Sequence, residues 1–308
     1  MTKYILSVDG GGIRGIIPAI VLAEIEKRAN KPIAKIFNLM VGTSTGGIVV
    51  AGLCRKDEQG KPKYSAQDLV DLYQKYGSYI FRSFFLRKAI AWFNGAEYSH
   101  RNLEYVLTRY FGEETLSNTL SNLLLTSYDI DNHCPFFFKN WREDRNLIKL
   151  KDALRATTAA PTYFTPKYLK VNQINRVLID GGIFVNNPAA CGYASGKRLF
   201  PNDDITILSI GTGTLERTIK YSSSKRFGKI TWVKPLLDVM FGSSLDAVDY
   251  QLGEVMGDRY IRIQSQLKIA SAEIDNTTAK NIEDLKQEAQ MMINDNQRII
   301  EEFCQMVA

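Results

Sequence analysis

The chain has 308 residues, 39 basic against 33 acidic, a net charge of +6, and 45% hydrophobic with 23% charged side chains. Those proportions exclude a disordered chain, a coiled coil and a collagen-like repeat, and no apolar run approaches the roughly 20 residues that cross a bilayer. The mild positive charge favours anionic surfaces such as phospholipid headgroups, without the dense basic stretch that nucleic acid demands.

In chain order, Tyr4 to Val8 reads as a short strand ending in Asp9 and three glycines. The apolar run before Asp9 is too short for a Sec-type signal peptide, so a cytoplasmic or peripheral-membrane location is expected. Ile13, Ile17, Ile20, Val21 and Ile25 fall near helical spacing. Phe37 to Val41 reads as a second buried strand ending in the glycine-rich Gly42 to Gly47, with a helix over Ile48 to Leu53. Further strands are expected at Leu123 to Tyr128, Val177 to Ile179 and Ile205 to Ile210, and a polar helical tail from about Ala279 to Met306. Strands separated by helices imply a three-layer α/β/α fold with a mostly parallel central sheet, whose ligands sit at the carboxyl ends of the strands. The four cysteines (Cys54, Cys134, Cys191, Cys304) form no C-x-x-C pair and read as reduced thiols. The histidines number two, His100 and His133.

Three glycine motifs fall at strand ends. Asp9-Gly10-Gly11-Gly12-Ile13-Arg14-Gly15 can turn backbone N–H groups toward an anion at a helix start, because glycine has no Cβ to obstruct the approach. Its Gly10-x-Gly12-x-x-Gly15 spacing also matches a dinucleotide fingerprint, but the second strand ends in Val41-Gly42-Thr43-Ser44, without the carboxylate that a ribose requires. A nucleotide or sugar-phosphate enzyme using the Gly10–Gly15 loop stays open here, as does a tight turn with no ligand. Gly42-Thr43-Ser44-Thr45-Gly46 is a G-x-S-x-G pentapeptide between an apolar strand and an apolar helix, the setting of a nucleophile elbow. There the Ser44 hydroxyl meets the positive end of a helix, which favours a developing oxyanion. An ordinary helix N-cap is the alternative. Asp180-Gly181-Gly182 follows Val177-Leu178-Ile179 and puts a carboxylate on the same rim, as a base for Ser44 or as a turn-former. A serine–histidine mechanism would need His100 or His133, with Asp68, Asp129 or Asp131 as its acid, and both histidines sit in polar, surface-like contexts.

Taken in this order, the three motifs resemble the patatin-like phospholipase family of serine lipid acyl hydrolases. The likeness continues through Ala156-Thr157-Thr158-Ala159-Ala160-Pro161-Thr162-Tyr163-Phe164, Asn186-Asn187-Pro188 and Leu208-Ser209-Ile210-Gly211-Thr212-Gly213. It covers most of the chain with no departure at the motifs, and fades over the last 60 or so residues. The resemblance implies a patatin-like α/β fold, Ser44 as nucleophile and Asp180 as general base. It implies an oxyanion hole from the backbone N–H groups of Gly10, Gly11 and Gly12, with Arg14 organising it. Gly15, Gly42, Gly46, Gly181 and Gly182 are motif positions. Substrates would be acyl esters of membrane phospholipids, cleaved in the manner of a phospholipase A or lysophospholipase, with no cofactor and no metal. A non-catalytic lipid-binding module would instead leave Ser44 dispensable. A single domain over 1–308 is expected, with the motifs in about 1–215 and a C-terminal extension over about 216–308.

Two stretches, Ile80 to Phe93 and Lys225 to Trp232, mix aromatic and basic residues in the composition of a segment lying on an anionic bilayer. No Cys/His group has zinc spacing, and Asp129 and Asp131 lack the glycine and distal glutamate of a calcium loop. With a carboxylate as base, activity is expected to fall on acidification below the pKa of a free imidazole.

Overall fold

The computed structural model describes residues 1–82, 95–214 and 219–308. β1 (Thr2–Val8) leads through the first glycine loop into α1 (Ile16–Ala29), and β2 (Leu39–Gly42) leads into α2 (Thr45–Cys54). α3 (Ala66–Ile80), α4 (His100–Phe111), β3 (Asn122–Asp129), β4 (Cys134–Lys139) and α5 (Leu150–Thr157) follow. Next come β5 (Lys167–Val171), β6 (Ile174–Asp180), α6 (Ala189–Leu199) and β7 (Asp204–Ile210). α7 (Lys229–Met256), β8 (Tyr260–Ile263), α8 (Ala279–Asp295) and α9 (Gln297–Val307) complete the chain.

β3, β2, β1, β7 and β8 run parallel, and their side chains alternate between two cores as the period of two requires. Leu6, Val8, Met40, Leu123 and Leu125 pack with α1, α3, α5, α8 and α9 on one face. Ile5, Leu39, Val41, Leu124 and Ile207 pack with α6 and the second half of α7 on the other. The result is the expected three-layer α/β/α arrangement.

One part of the sheet departs from parallel, and it places the site. β4 pairs with β3 antiparallel along Leu124–Asp129 and fills one edge of that strand. β2 and β6 must therefore share the other edge. β2 occupies it up to the pair Gly42–Leu125, and β6 enters antiparallel from the far end, stopping at the pair Asp180–Ser127. Two strands thus meet head-on, their ends two residues apart along β3, a spacing of about 7 Å. The Asp180 carboxylate reaches the rim as expected, but from the opposite direction to the parallel strands.

The tail also differs in detail from the sequence reading. It breaks at Asn296 into α8 and α9, and its apolar residues are one continuous stripe: Leu285, Ala289, Met292, Ile300, Phe303 and Val307 are all buried in the main core. Phe303 stacks on Phe37 with centroids 5.7 Å apart. Among the described residues, no helix is long and apolar enough to cross a membrane.

Candidate active site

Ser44 sits where β2 turns into α2, with φ 54° and ψ −122°, a region that a side chain occupies at a cost of about 1–3 kcal/mol. The turn is tight enough that Gly42 and Gly46 are required. A Cβ on Gly42 would lie 2.5 Å from the Gly46 carbonyl oxygen, and one on Gly46 would lie 2.2 Å from that of Val8. An ordinary N-cap serine has extended dihedrals and accepts a helix N–H. Ser44 does neither, making no side-chain cap; its hydroxyl stands instead beside the Asp180 carboxylate, near enough to draw that group's pKa down.

Asp180 is 2% exposed and accepts from Gly182 N–H at 2.7 Å, so one carboxylate both forms the turn and faces Ser44. Burial pushes its pKa from 3.8 up to about 7, against the lowering pull of the Ser44 hydroxyl and Gly182 N–H. That value lies close to that of a free imidazole. Full desolvation thus moves the expected acid limb up to the neighbourhood of an imidazole's. The Ala156–Phe164 segment ties the two residues together, since Thr157 Oγ1 accepts from Ser44 N–H at 2.9 Å and the Ala159 carbonyl accepts from Asp180 N–H at 3.0 Å.

The first glycine loop is pinned from three sides. Gly10 N–H donates to the Asn186 carbonyl at 3.2 Å, and the Gly10 carbonyl accepts from Thr212 Oγ1 at 2.8 Å. Arg14 donates through Nε to the Gly11 carbonyl at 3.3 Å and through Nη1 to that of Gly213 at 3.1 Å. Ile13 N–H donates to the Ile274 carbonyl at 2.8 Å. Gly10 therefore spends its N–H on the scaffold, and the loop N–H groups with no acceptor among the described residues are those of Gly11 and Gly12. Asp9, the acidic residue a phosphate-binding loop would use, is fully buried and held by both Nη atoms of Arg262, at 3.2 and 2.6 Å. With that carboxylate and the Gly10 N–H already committed, the loop is poorly furnished for a nucleotide.

Ser44, Asp180, the glycine loop and Arg14 open onto one cleft, partly continuous with solvent. Beyond the polar end its walls are apolar: Ile13, Ile48, Ile80, Phe81, Leu103 and Phe164. Phe241 from α7 flanks Asp180, since a Cβ on Gly182 would touch its ring at 2.7 Å. Neither histidine lines the cleft. His100 bonds Thr165 Oγ1 at 3.2 Å on the surface, and His133 occupies an exposed turn with φ 51°. Two of the three aspartates weighed for a triad are otherwise engaged: Asp68 closes a capping box with Ser65 at the start of α3, and Asp129 pairs with Arg176 at 2.8 Å. The third, Asp131, is exposed.

Sequence reasoning missed Arg262, Ile274, Phe241 and the roles of Thr157, Ala159 and Thr212. A lone arginine inside the otherwise apolar Tyr260–Ile263 was a readable signal for a buried ion-pair partner; the backbone carbonyl of Ile274 leaves none.

Residues 6–190 match the family described as patatin-like phospholipase. Patatin-like protein 1 of Arabidopsis thaliana is 32% identical over 334 residues, spanning 94% of this chain and 81% of the relative. Patatin-11 of Solanum tuberosum is 28% identical over 326 residues, spanning 94% and 83%. Of solved structures, human GIVD cytosolic phospholipase A2 aligns with a TM-score of 0.49 at 9% identity, over 99% of this chain and 60% of that one.

Proposed function

The chain belongs to the patatin-like phospholipase family and is a lipid acyl hydrolase, and on that premise we propose that it cleaves acyl esters of membrane phospholipids, as a phospholipase A or lysophospholipase, through a Ser44–Asp180 dyad. The observation that carries this reading is the Ser44 hydroxyl set beside a buried carboxylate at the polar end of an apolar cleft. Ser44 attacks the acyl carbonyl and passes its proton to Asp180. Backbone N–H groups of the glycine loop face the oxyanion, and the apolar walls hold the acyl chain. Asp180 then activates a water that hydrolyses the acyl-enzyme. A base whose pKa lies near 7 is well matched to this task at neutral pH.

The start of α7 is the proposed bilayer contact. Trp232 is 37% and Leu236 50% exposed, one helical turn apart, and the basic Lys225 and Arg226 precede them. The other aromatic and basic stretch, Ile80 to Phe93, lies outside the described residues beyond Arg82. Liposome co-sedimentation of Trp232→Ala/Leu236→Ser should lose binding to anionic vesicles; undiminished binding removes α7 from consideration.

Lipid-product mass spectrometry with phospholipid vesicles tests the chemistry. Wild type should release free fatty acid, with or without excess EDTA, because base and oxyanion donors are the chain's own, and Ser44→Ala should release none. Fatty acid release by Ser44→Ala at the wild-type rate overturns the dyad.

A further inference from the structure

The backbone of Asn186 and its side chain have separate tasks. Its N–H donates to Ser244 Oγ at 3.1 Å and its carbonyl accepts from Gly10 N–H, tying the main chain to α7 on one side and to the glycine loop on the other. The residue is only 6% exposed. Yet among the described residues its carboxamide oxygen and nitrogen have no hydrogen-bond partner. The adjacent Asn187 differs sharply, accepting from Ala189 N–H at 3.0 Å and donating to the Tyr260 hydroxyl at 3.1 Å. An amide that faces the cleft with neither end engaged by the chain is free to bond a polar group that enters there.

Asn186 lines the cleft beside Ser44 and Asp180. Gly10 shows where its amide stands: a Cβ there would lie 2.3 Å from Asn186 Oδ1 and 3.4 Å from Ser44 Cβ. The amide head and the side chain of the nucleophile therefore flank the same point. Gly10 cannot itself donate at that point, because its N–H is spent on the Asn186 carbonyl. A half-turn about χ2 exchanges the two ends of a carboxamide, and with neither end held by the protein an anion selects the nitrogen.

We propose that the Asn186 carboxamide is a third donor of the oxyanion hole, presenting Nδ2–H to the carbonyl oxygen of the ester beside the N–H groups of Gly11 and Gly12. This rests on the dyad reading. As Ser44 Oγ bonds to the acyl carbon, its proton moves to Asp180 and the carbonyl π pair becomes negative charge on oxygen, facing three N–H donors. Collapse of the intermediate breaks the ester C–O bond, and the departing alcohol oxygen takes the proton back from Asp180. The amide is neutral, so it strengthens the hole without lowering the pKa of the neighbouring base as a cation would.

Steady-state kinetics on a soluble acyl ester, alongside inhibition by a trifluoromethyl ketone carrying an acyl chain, test the proposal. The ketone forms a hemiketal oxyanion on Ser44; the corresponding methyl carbinol fills the same cleft without one. Asn186→Ala and the similarly sized Asn186→Leu should lose kcat by roughly 100- to 1,000-fold with KM little changed. Affinity for the ketone should fall by the same factor, and affinity for the carbinol should hold. Ser244→Ala, which cuts the main-chain tether and leaves the amide in place, should stay close to wild type. A wild-type kcat in Asn186→Ala, a loss confined to KM, or an equal loss in Ser244→Ala would overturn the proposal. Ser44→Ala run in parallel separates the two readings. If it is inert while Asn186→Ala is fully active, only this inference fails; if it is active, the dyad itself has failed.

Discussion

The two ends of the molecule divide the work unequally. Residues 6–190 hold the elbow, the first glycine loop and the Asp-Gly-Gly turn, each spelled out in a few consecutive letters. Residues 260–288 hold no such motif, yet they fix the first glycine loop in place. Arg262 reaches across 253 positions to grip Asp9, the Ile274 carbonyl takes Ile13 N–H, and Glu288 gathers the N–H groups of Lys268, Ile269 and Ala270. The difference is one of physical scale. A nucleophile or a base needs a particular backbone conformation, which neighbouring residues dictate; holding that conformation against a distant strand needs single side chains, whose partners no local pattern names.

If the motif half carries the chemistry, the largest effect belongs to Asp180→Asn. Loss of a general base should lower kcat by about 100- to 10,000-fold. The same variant should be more stable than wild type above neutrality. A carboxyl raised from 3.8 to about 7 favours folding least when ionised: the two proteins should match below pH 4, diverge between pH 4 and 7, and differ most above 7, by at most about 4 kcal/mol. Wild-type activity should correspondingly rise through an apparent pKa of about 7. Urea melts at pH 5 and pH 8.5 check the sign. A variant that is inactive and equally destabilised at both pH values would mean that Asp180 serves the fold rather than the reaction.

If the motif-free region holds the glycine loop, Arg262→Met should cost roughly 3–5 kcal/mol, because it strands a buried carboxylate. Asp9→Asn/Arg262→Met should recover most of that loss, since no charge is then left unpaired. Denaturant titration of the four corners of this cycle gives the coupling. An Arg262→Met protein as stable as wild type would show the ion pair to be incidental.

How far the sequence carried the reading follows from the same contrast. Ser44, the strand and helix around it, and the alternation of elements were legible because each depends on residues within a few positions. Asp180 was legible as a base on the same rim as Ser44, but the strand geometry that brings the two together was not. That meeting depends on β6 running antiparallel and ending against β2 on one edge of β3, a matter of long-range pairing that apolar runs do not encode. The tail looked generic because its polar face dominates the composition, while its buried stripe from Leu285 to Val307 becomes visible only against α1 and Phe37.

A milder test of the C-terminal region is Glu288→Ala. The carboxylate is 1% exposed and accepts from three consecutive N–H groups of the segment that goes on to Ile274. Its removal should cost about 1–3 kcal/mol of stability and lower kcat by less than Asp180→Asn does, with Glu288→Gln in between. Unchanged stability and kcat in Glu288→Ala would detach α8 from the site.

The smallest expected effect is the most discriminating for the motif half. Burial lifts Asp180 to about 7, close to the ordinary imidazole value near 6.5, so a pH profile alone does not separate a carboxylate base from a histidine. Substitution does. His100 lies at the start of α4, bonded to Thr165, and His133 in an exposed turn, and neither lines the cleft that holds Ser44. His100→Gln/His133→Gln should therefore keep the wild-type kcat/KM on phospholipid vesicles and the same acid limb. Should the double variant instead lose about 100-fold or more, with the limb gone, the base would be an imidazole brought to Ser44 by a rearrangement, and the buried carboxylate would be a structural partner of the serine and no more.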